Sequence, residues 1–308
     1  MLGISQMEDV NYFFVRKLIL RTFNQIQLLN MKQILKVLFF CLFTSNVIGQ
    51  IQIKGNMSFP PIEYNAEKLE QTKQNIYYNY TYISNPKKTE KTKSSLTLLQ
   101  IGQNWSKFVD FNTLKKDSIE EKFSYYKNLG AVELNKLLAI RAKIGFKKNI
   151  FKDLKNNSLT IQSKIYKKNY EYKEKKNSLN WQLVKGNKTI LNYKVKKAII
   201  NYGGRKWIAW YTEEVPINLG PYVFGNLPGL ILELYDDKKN FHFIAIGVDN
   251  KQKEIYKSIK KNTIETSKEN FFKAERNFYE KPENFITGTI RGSANFKKIP
   301  YNPIEIID

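Results

Sequence analysis

From Asn75 onward the chain keeps returning to one pattern, with aromatic and β-branched side chains at alternate positions. Side chains of an extended strand point alternately to opposite faces, so this spacing suits half-buried strands and predicts antiparallel sheet. In Ile76–Ile83, Tyr78, Tyr80 and Tyr82 share one face. Leu96–Ile101 and Trp105–Phe111 flank Gly102-Gln103-Asn104 and predict a hairpin. Further strands fall near Thr160–Tyr166, Tyr170–Lys173, Trp181–Val184 and Thr189–Ile200, the last two separated by Gly186-Asn187. A turn at Gly203-Gly204 leads into Trp207–Thr212. A second hairpin joins Leu230–Tyr235 to Phe241–Val248 through the polar turn Asp236–Asn240.

The spacing changes between Asp117 and Phe146. Leu134, Leu137, Leu138, Ile140 and Ile144 suit helical turns, so one or two helices are expected over 117–146, with Gly130 dividing them. Near the end, Ser267 can cap a short helix over 268–280 that carries Phe271, Phe272, Phe278 and Tyr279 on one stripe and stops at Pro282. The expected class is therefore mainly β, α+β.

The start of the chain carries an address. Met31-Lys32-Gln33 opens a basic stretch that runs into apolar Val37–Phe43, and Val47-Ile48-Gly49 offers small side chains for cleavage before Gln50. That is the layout of a secretory signal, far short of the roughly 20 apolar residues a membrane-spanning helix needs. Residues 31–49 read as the signal, residues 1–30 as a leader from a start codon placed too early, and residues 50–308 as one large domain. After cleavage no transmembrane segment is expected. The single cysteine, Cys41, lies inside the signal, and Phe39 and Phe40 before it do not suit lipid attachment. The exported domain then holds no disulfide, and is placed in the periplasm, at the outer membrane or outside the cell.

The chain carries 51 basic and 28 acidic residues, a formal net charge of +23. Lysine dominates and is spread along the chain, whereas nucleic-acid readers lean on arginine, so nucleic acid is not the expected partner. The runs Lys87-Lys88, Lys167-Lys168, Lys173–Lys176 and Lys260-Lys261 sit beside Asn, Glu or Ser and read first as solvated turns. An anionic envelope surface is the partner class the remaining excess suits.

The most specific stretch is Trp207–Leu234. Its centre, Gly225-Asn226-Leu227-Pro228-Gly229-Leu230-Ile231, closely resembles the signature of the GLPGLI family, with Asn226 inserted after the first glycine. Ala209-Trp210-Tyr211-Thr212, Pro216, Gly220-Pro221-Tyr222 and the terminal Asn302-Pro303-Ile304-Glu305 resemble it too. That family consists of exported bacterial proteins of unknown activity, so the resemblance brings no catalytic or ligand residues. The arrangement it implies is a curved antiparallel sheet or half-barrel around a helical insertion, similar to periplasmic lipoprotein carriers. Such a sheet would take a hydrophobic ligand or an outer-membrane partner.

Physically, Trp210, Pro216, Gly220, Pro221, Tyr222, Gly225, Leu227, Pro228, Gly229 and Leu230 read as a structural motif. Gly220-Pro221 and Pro228-Gly229 set two turns, Leu230–Leu232 enter a buried strand, and Trp207, Trp210, Tyr211, Tyr222 and Phe224 pack beneath the crossing.

Catalytic patterns are not found. His242, between Phe241 and Phe243, is the single histidine, no G-x-S-x-G elbow accompanies it, and it reads as a strand-face residue. Ser84–Lys87 and Ser258–Lys261 fit S-x-x-K, as chance allows in a lysine-rich chain. No Walker loop, zinc spacing or calcium loop occurs, and no cofactor is expected. Glu213-Glu214 and Asp236-Asp237 are adjacent, so within each pair the side chains should point apart. The expected function is a non-enzymatic envelope protein. The runner-up is a hydrolase of carbohydrate or peptide with carboxylates, such as Glu213 and Glu233, brought together by the fold.

Overall fold

The computed structural model describes residues 53–55, 58–175, 178–285 and 298–307. The expected leader, signal and cleavage site at Gln50 lie outside the described residues, as does Cys41.

The alternating segments fold as anticipated into antiparallel sheet. In chain order the elements are β1 (Asn65–Gln71), β2 (Gln74–Ile83), β3 (Thr92–Ile101), β4 (Trp105–Asp110), α1 (Phe111–Ser124), α2 (Ala131–Ala142), β5 (Lys148–Asp153), β6 (Ser158–Ile165) and β7 (Lys168–Lys175). There follow β8 (Gln182–Ile190), β9 (Tyr193–Tyr202), β10 (Arg205–Thr212), β11 (Leu230–Asp236), β12 (Phe241–Asp249), β13 (Glu254–Ile259), β14 (Ile264–Thr266) and α3 (Lys268–Glu280). Among the described residues one ladder joins twelve strands in the order β14-β7-β6-β5-β4-β3-β2-β12-β11-β10-β9-β8. Every pairing in it is antiparallel except β14 with β7. A separate ribbon pairs β1 with β13.

The ladder is curled and open. Lys268, at the start of α3 beside β14, reaches the hydroxyl of Tyr202 on β9 at 3.1 Å, so side chains bridge the two ends, which the ladder leaves unpaired. One continuous core lines the concave side, from Ile76, Tyr78 and Tyr80 on β2 through Phe243 on β12 to Trp207 on β10. Burying this much aromatic surface is the main drive for the curl.

Asp110 explains why the helical insertion starts six residues before the expected Asp117. Its carboxylate caps α1, accepting from the Asn112 N–H at 2.8 Å, and also accepts from the Gly145 and Phe146 N–H groups at 2.9 and 3.0 Å. One side chain thus opens and closes the insertion. Phe111, which continued the strand pattern, is instead the first helical residue. Gly130 separates the helices as expected. Ser267 caps α3, its Oγ accepting from the Asn270 N–H at 3.2 Å, and Phe271 and Phe272 are buried.

Two local expectations are corrected. Gly186-Asn187 is no turn: β8 runs through it with a bulge, Gly186 at φ +156°, and the chain reverses at Leu191-Asn192, both at positive φ. Asn192 suits such a turn, but Leu191 does not, and Gly186-Asn187 offered the stronger signal nearby. Strand β5 was hidden, because its inward face is Lys148, Ile150 and Lys152. Lys148 sits over the rings of Phe271 and Phe272, and Lys152 donates to backbone carbonyls within the concavity.

Behind the sheet, α1 holds Glu120, 3 % exposed, among Lys116 (3.2 Å), Lys260 (2.9 Å) and Arg141 (2.8 Å). Burial works against its ionisation, but Lys116, Arg141 and Lys260 outweigh that and hold its pKa at about 2, below the ordinary 4.5. A depressed acid stabilises the fold above the unfolded pKa and loses that contribution as pH falls through the folded one. Glu120→Gln is therefore expected to cost about 3 kcal/mol at pH 7. It should also flatten the loss of stability between pH 4.5 and about 2, read by urea melts across that range.

Candidate functional site

Residues 213–229, between β10 and β11, do not cross the surface as an ordinary loop. Leu219, Tyr222, Val223, Phe224 and Leu227 are each at most 3 % exposed and fill the concave side of the sheet. The segment is knitted to itself and to β11: Leu230 N–H donates to Val215 O (3.1 Å), Ile231 N–H to Leu219 O (3.0 Å) and Asn226 N–H to Asn218 O (3.1 Å). Side chains of the surrounding elements hold its backbone. Lys152 donates to Phe224 O (2.6 Å) and Gly220 O (3.4 Å), and Trp181 Nε1 donates to Gly225 O (2.8 Å). Tyr78 donates to Ile231 O at 2.7 Å.

Two glycines are required by close approach. A Cβ on Gly229, at φ +155°, would stand 1.9 Å from Thr212 O, and one on Gly225 would stand 2.5 Å from Asn218 O. Pro216 and Pro228 are exposed at the turns, while Gly220, Pro221, Tyr222, Gly225, Leu227, Gly229 and Leu230 are buried. Trp207, Tyr211, Tyr222 and Phe224 pack together inside as expected, the Trp207 and Phe224 centroids 4.9 Å apart. Trp210, on the opposite face of β10, is half-buried and packs against the same core.

Tyr222 and Asn226 both take positive φ in the segment, at +55° and +64°, and of the two Tyr222 is fully buried. Such a conformation costs a non-glycine residue about 1–2 kcal/mol and persists only when neighbours over-determine it. Its hydroxyl donates to Glu305 of the terminal Asn302–Glu305 motif, so the two stretches that carried the family resemblance meet in space. Lys268 joins them, 2.9 Å from Glu305 and 3.2 Å from Glu174. Burial and the nearby Glu305 carboxylate raise the Tyr222 pKa far above its ordinary value. Arg205 completes the clamp, holding Asp236 at 3.0 Å and Pro303 O at 2.7 Å. Lys152 was not singled out in the sequence, and Glu305 only as part of the terminal Asn302–Glu305 stretch. A lysine inside an alternating strand and a terminal acid beside Pro-Ile were the signals available.

The outer face carries a second arrangement, a stripe across five adjacent strands. Lys188 (β8) sits 4.4 Å and Lys197 (β9) 5.7 Å from the ring of Trp210 (β10). Lys188 also pairs with Glu233 (β11), which His242 Nε2 (β12) meets at 2.8 Å. The His242 and Tyr235 rings pack edge to face at 5.5 Å. Burial opposes ionising Glu233, but hydrogen bonds from His242 and Lys188 prevail and keep its pKa low. His242 is thus a strand-face residue, as read, and Glu233 is its partner.

The other chemistry flagged in the sequence does not converge. Glu213 pairs with Lys196 at 2.6 Å, and Glu214 accepts from the Lys194 N–H at 2.8 Å, both acids being exposed. Asp236 is buried against Arg205 while Asp237 is exposed. Ser258 is buried in β13, whereas Lys261 is exposed and paired with Glu63 at 2.7 Å. Glu213→Gln with Glu214→Gln should leave the thermal midpoint within a degree or so, as surface pairs contribute little. Among the described residues no three His, Cys, Asp or Glu side chains group to hold a metal, and no helix is long and apolar enough to cross a membrane.

Comparison with known proteins gives one family match. The model of a family described as "N-glycanase peptide, N-terminal domain" matches residues 141–271, from the end of α2 through β14 into α3. Two solved structures of PNGF-II, in space groups P21 and C2, align with a TM-score of 0.42 at 15 % and 16 % identity. Each alignment covers 67 % of this chain and 33 % of the other. The chain therefore spans about a third of the length of the solved chains it matches. The comparison with curated proteins gives no match. By these comparisons, residues 141–271 are similar to an N-terminal domain of N-glycanases.

Proposed function

We propose that this chain is an exported, non-catalytic module that docks an anionic, glycan-bearing envelope partner through the outer face of β8–β12. The observation that supports it most is occupancy. Residues 215–229 fill the concavity where a half-barrel would hold a ligand, and Lys152, Trp181 and Tyr222 are engaged in holding them there. A hydrophobic ligand would have to displace that segment, so docking is the preferred half of the expectation. Recognition then falls to the outside, where Lys188 and Lys197 flank Trp210 beside Glu233 and His242.

The lysine-rich charge of +23 suits a phosphate-bearing envelope surface. Similarity to an N-terminal domain of an N-glycanase supports a place beside glycan-processing machinery. Membership of the GLPGLI family, a signal over residues 31–49, and a mature chain from Gln50 found in the periplasm, at the outer membrane or outside the cell belong to the same proposal.

Salt-sensitive retention on vesicles of anionic envelope lipid tests it. Lys188→Gln with Lys197→Gln should weaken retention about tenfold or more, at about 1 kcal/mol per lysine near such a surface. Retention indifferent to both salt and these changes would remove the docking reading. Turnover of a glycopeptide that disappears in folded Glu233→Gln or His242→Gln would replace it with the hydrolase.

A further inference from the structure

A groove of about 430 Å³ lies away from the stripe, where the β1·β13 ribbon and α1 cover the outer side of β3 and β4. We infer that it is a binding site for an uncharged sugar of one or two rings. In taking a glycan as ligand this deepens the proposed function, but its residues are independent of the docking face.

The walls supply aromatic surface. Tyr64, Tyr125 and Tyr256 line the groove, and Tyr125 stands at its rim 82 % exposed. Tyr256 is fixed: its hydroxyl donates to Asp117 at 3.1 Å and the Lys107 ammonium packs 3.7 Å from its ring centroid. Rigid aromatic faces with a polar tip suit the mixed apolar and hydroxylated surface of a pyranose.

The polar lining decides the class. Gln100, 1 % exposed, lines the groove; its Nε2 donates to Glu254 O at 3.3 Å, while its Oε1 is buried with no hydrogen-bond partner. A buried acceptor left unmatched is costly, and a ligand hydroxyl would satisfy it. Glu121 and Glu254 face the same space with Lys68 and Lys253, two acids against two bases. Lys68 pairs with Glu254 at 3.1 Å and Lys253 with Asp249 at 3.3 Å, so the charges lining the groove are balanced and give an anion no net attraction. An apolar ligand would leave Gln100 Oε1 and the Glu121 carboxylate buried without partners. A neutral polyol meets all three conditions. It can stack on tyrosine, donate to Gln100 and Glu121, and bring no charge.

Saturation-transfer NMR and calorimetric titration of the full chain with cellobiose, maltose and α-mannobiose test this, with inorganic phosphate as the anionic control. At least one disaccharide should bind in the millimolar range or tighter, with phosphate failing to displace it. Tyr125→Ala, at an exposed position, should weaken binding about tenfold, and Gln100→Leu, which removes the unmatched acceptor together with the 3.3 Å bond to Glu254 O, should abolish it while lowering the thermal midpoint by no more than about 4 °C. No disaccharide bound at about 50 mM, weaker than the range weak sites reach, overturns the site, as does binding that both variants leave intact. Phosphate that displaces the sugar also overturns it. Lys188→Gln with Lys197→Gln should not change the titration, so loss of vesicle retention with sugar binding kept separates this site from the docking face.

Discussion

Gly229→Val is expected to lower the unfolding free energy by about 4 kcal/mol or more, or to prevent folding. The first side-chain carbon would stand 1.9 Å from Thr212 O and 2.7 Å from Thr212 C, both backbone atoms at the end of β10. Relief requires β10 and β11 to part at the point where Leu230 pairs with Thr212. Overpacking of this kind combined with a β-branched residue at positive φ lies at the severe end of single substitutions. For a domain of this size each kcal/mol moves the thermal midpoint by about 2–4 °C, so a drop near 10 °C is the expected reading. Gly229→Ala should fall only slightly short of that, since the clash begins at Cβ. If valine left the midpoint unchanged, the segment would be a mobile loop and not a packed element.

Glu305→Ala is the second large effect, expected at about 3–5 kcal/mol. The carboxylate is 2 % exposed and accepts from Tyr222 while pairing with Lys268. Its removal leaves a buried hydroxyl unmatched and an ammonium with half its compensation, and stranding a buried charge costs far more than the net value of the pair. Glu305→Gln, which keeps an acceptor, should cost less. The cycle with Tyr222→Phe should show coupling of about 1–3 kcal/mol by denaturant melts. Additive behaviour would mean that the two family-like stretches touch without depending on one another.

These two positions also mark how far the sequence could be read. Alternation located β2, β3, β10, β11 and β12 because their inward residues are apolar or aromatic, and periodicity with Gly130 and Ser267 located the helices. Where an inward residue is a lysine, as in β5, the same rule is blind, because it scores polarity and not position. The ribbon strands β1 and β13 were missed for a related reason: Asn65–Gln71 covers the outer side of the sheet and shows no alternation to detect. The turn at Pro228-Gly229 and the entry of Leu230–Leu232 into a buried strand were legible. That the motif fills the concavity was not legible, since nothing local says whether a Gly-Pro loop turns outward or inward. The partnership of Glu233 with His242 and the groove at Gln100 depend on register between strands, which a linear pattern does not reveal.

The central seam of the sheet, where β2 meets β12, has a consequence for how the chain reaches this state. Tyr78 finds its acceptor at Ile231 across 153 residues, and Asn75 finds Asp249 across 174. Synthesis therefore delivers β2 to β7 as a half-sheet whose inner edge stays unpaired until most of the protein has been made. Contacts this distant in sequence are closed against loop entropy and make folding slow and late. The partner strand, β12, arrives just after the segment that fills the concavity. Joining the halves and seating that segment thus become one event, so the protein should acquire its sheet and its core together or not at all.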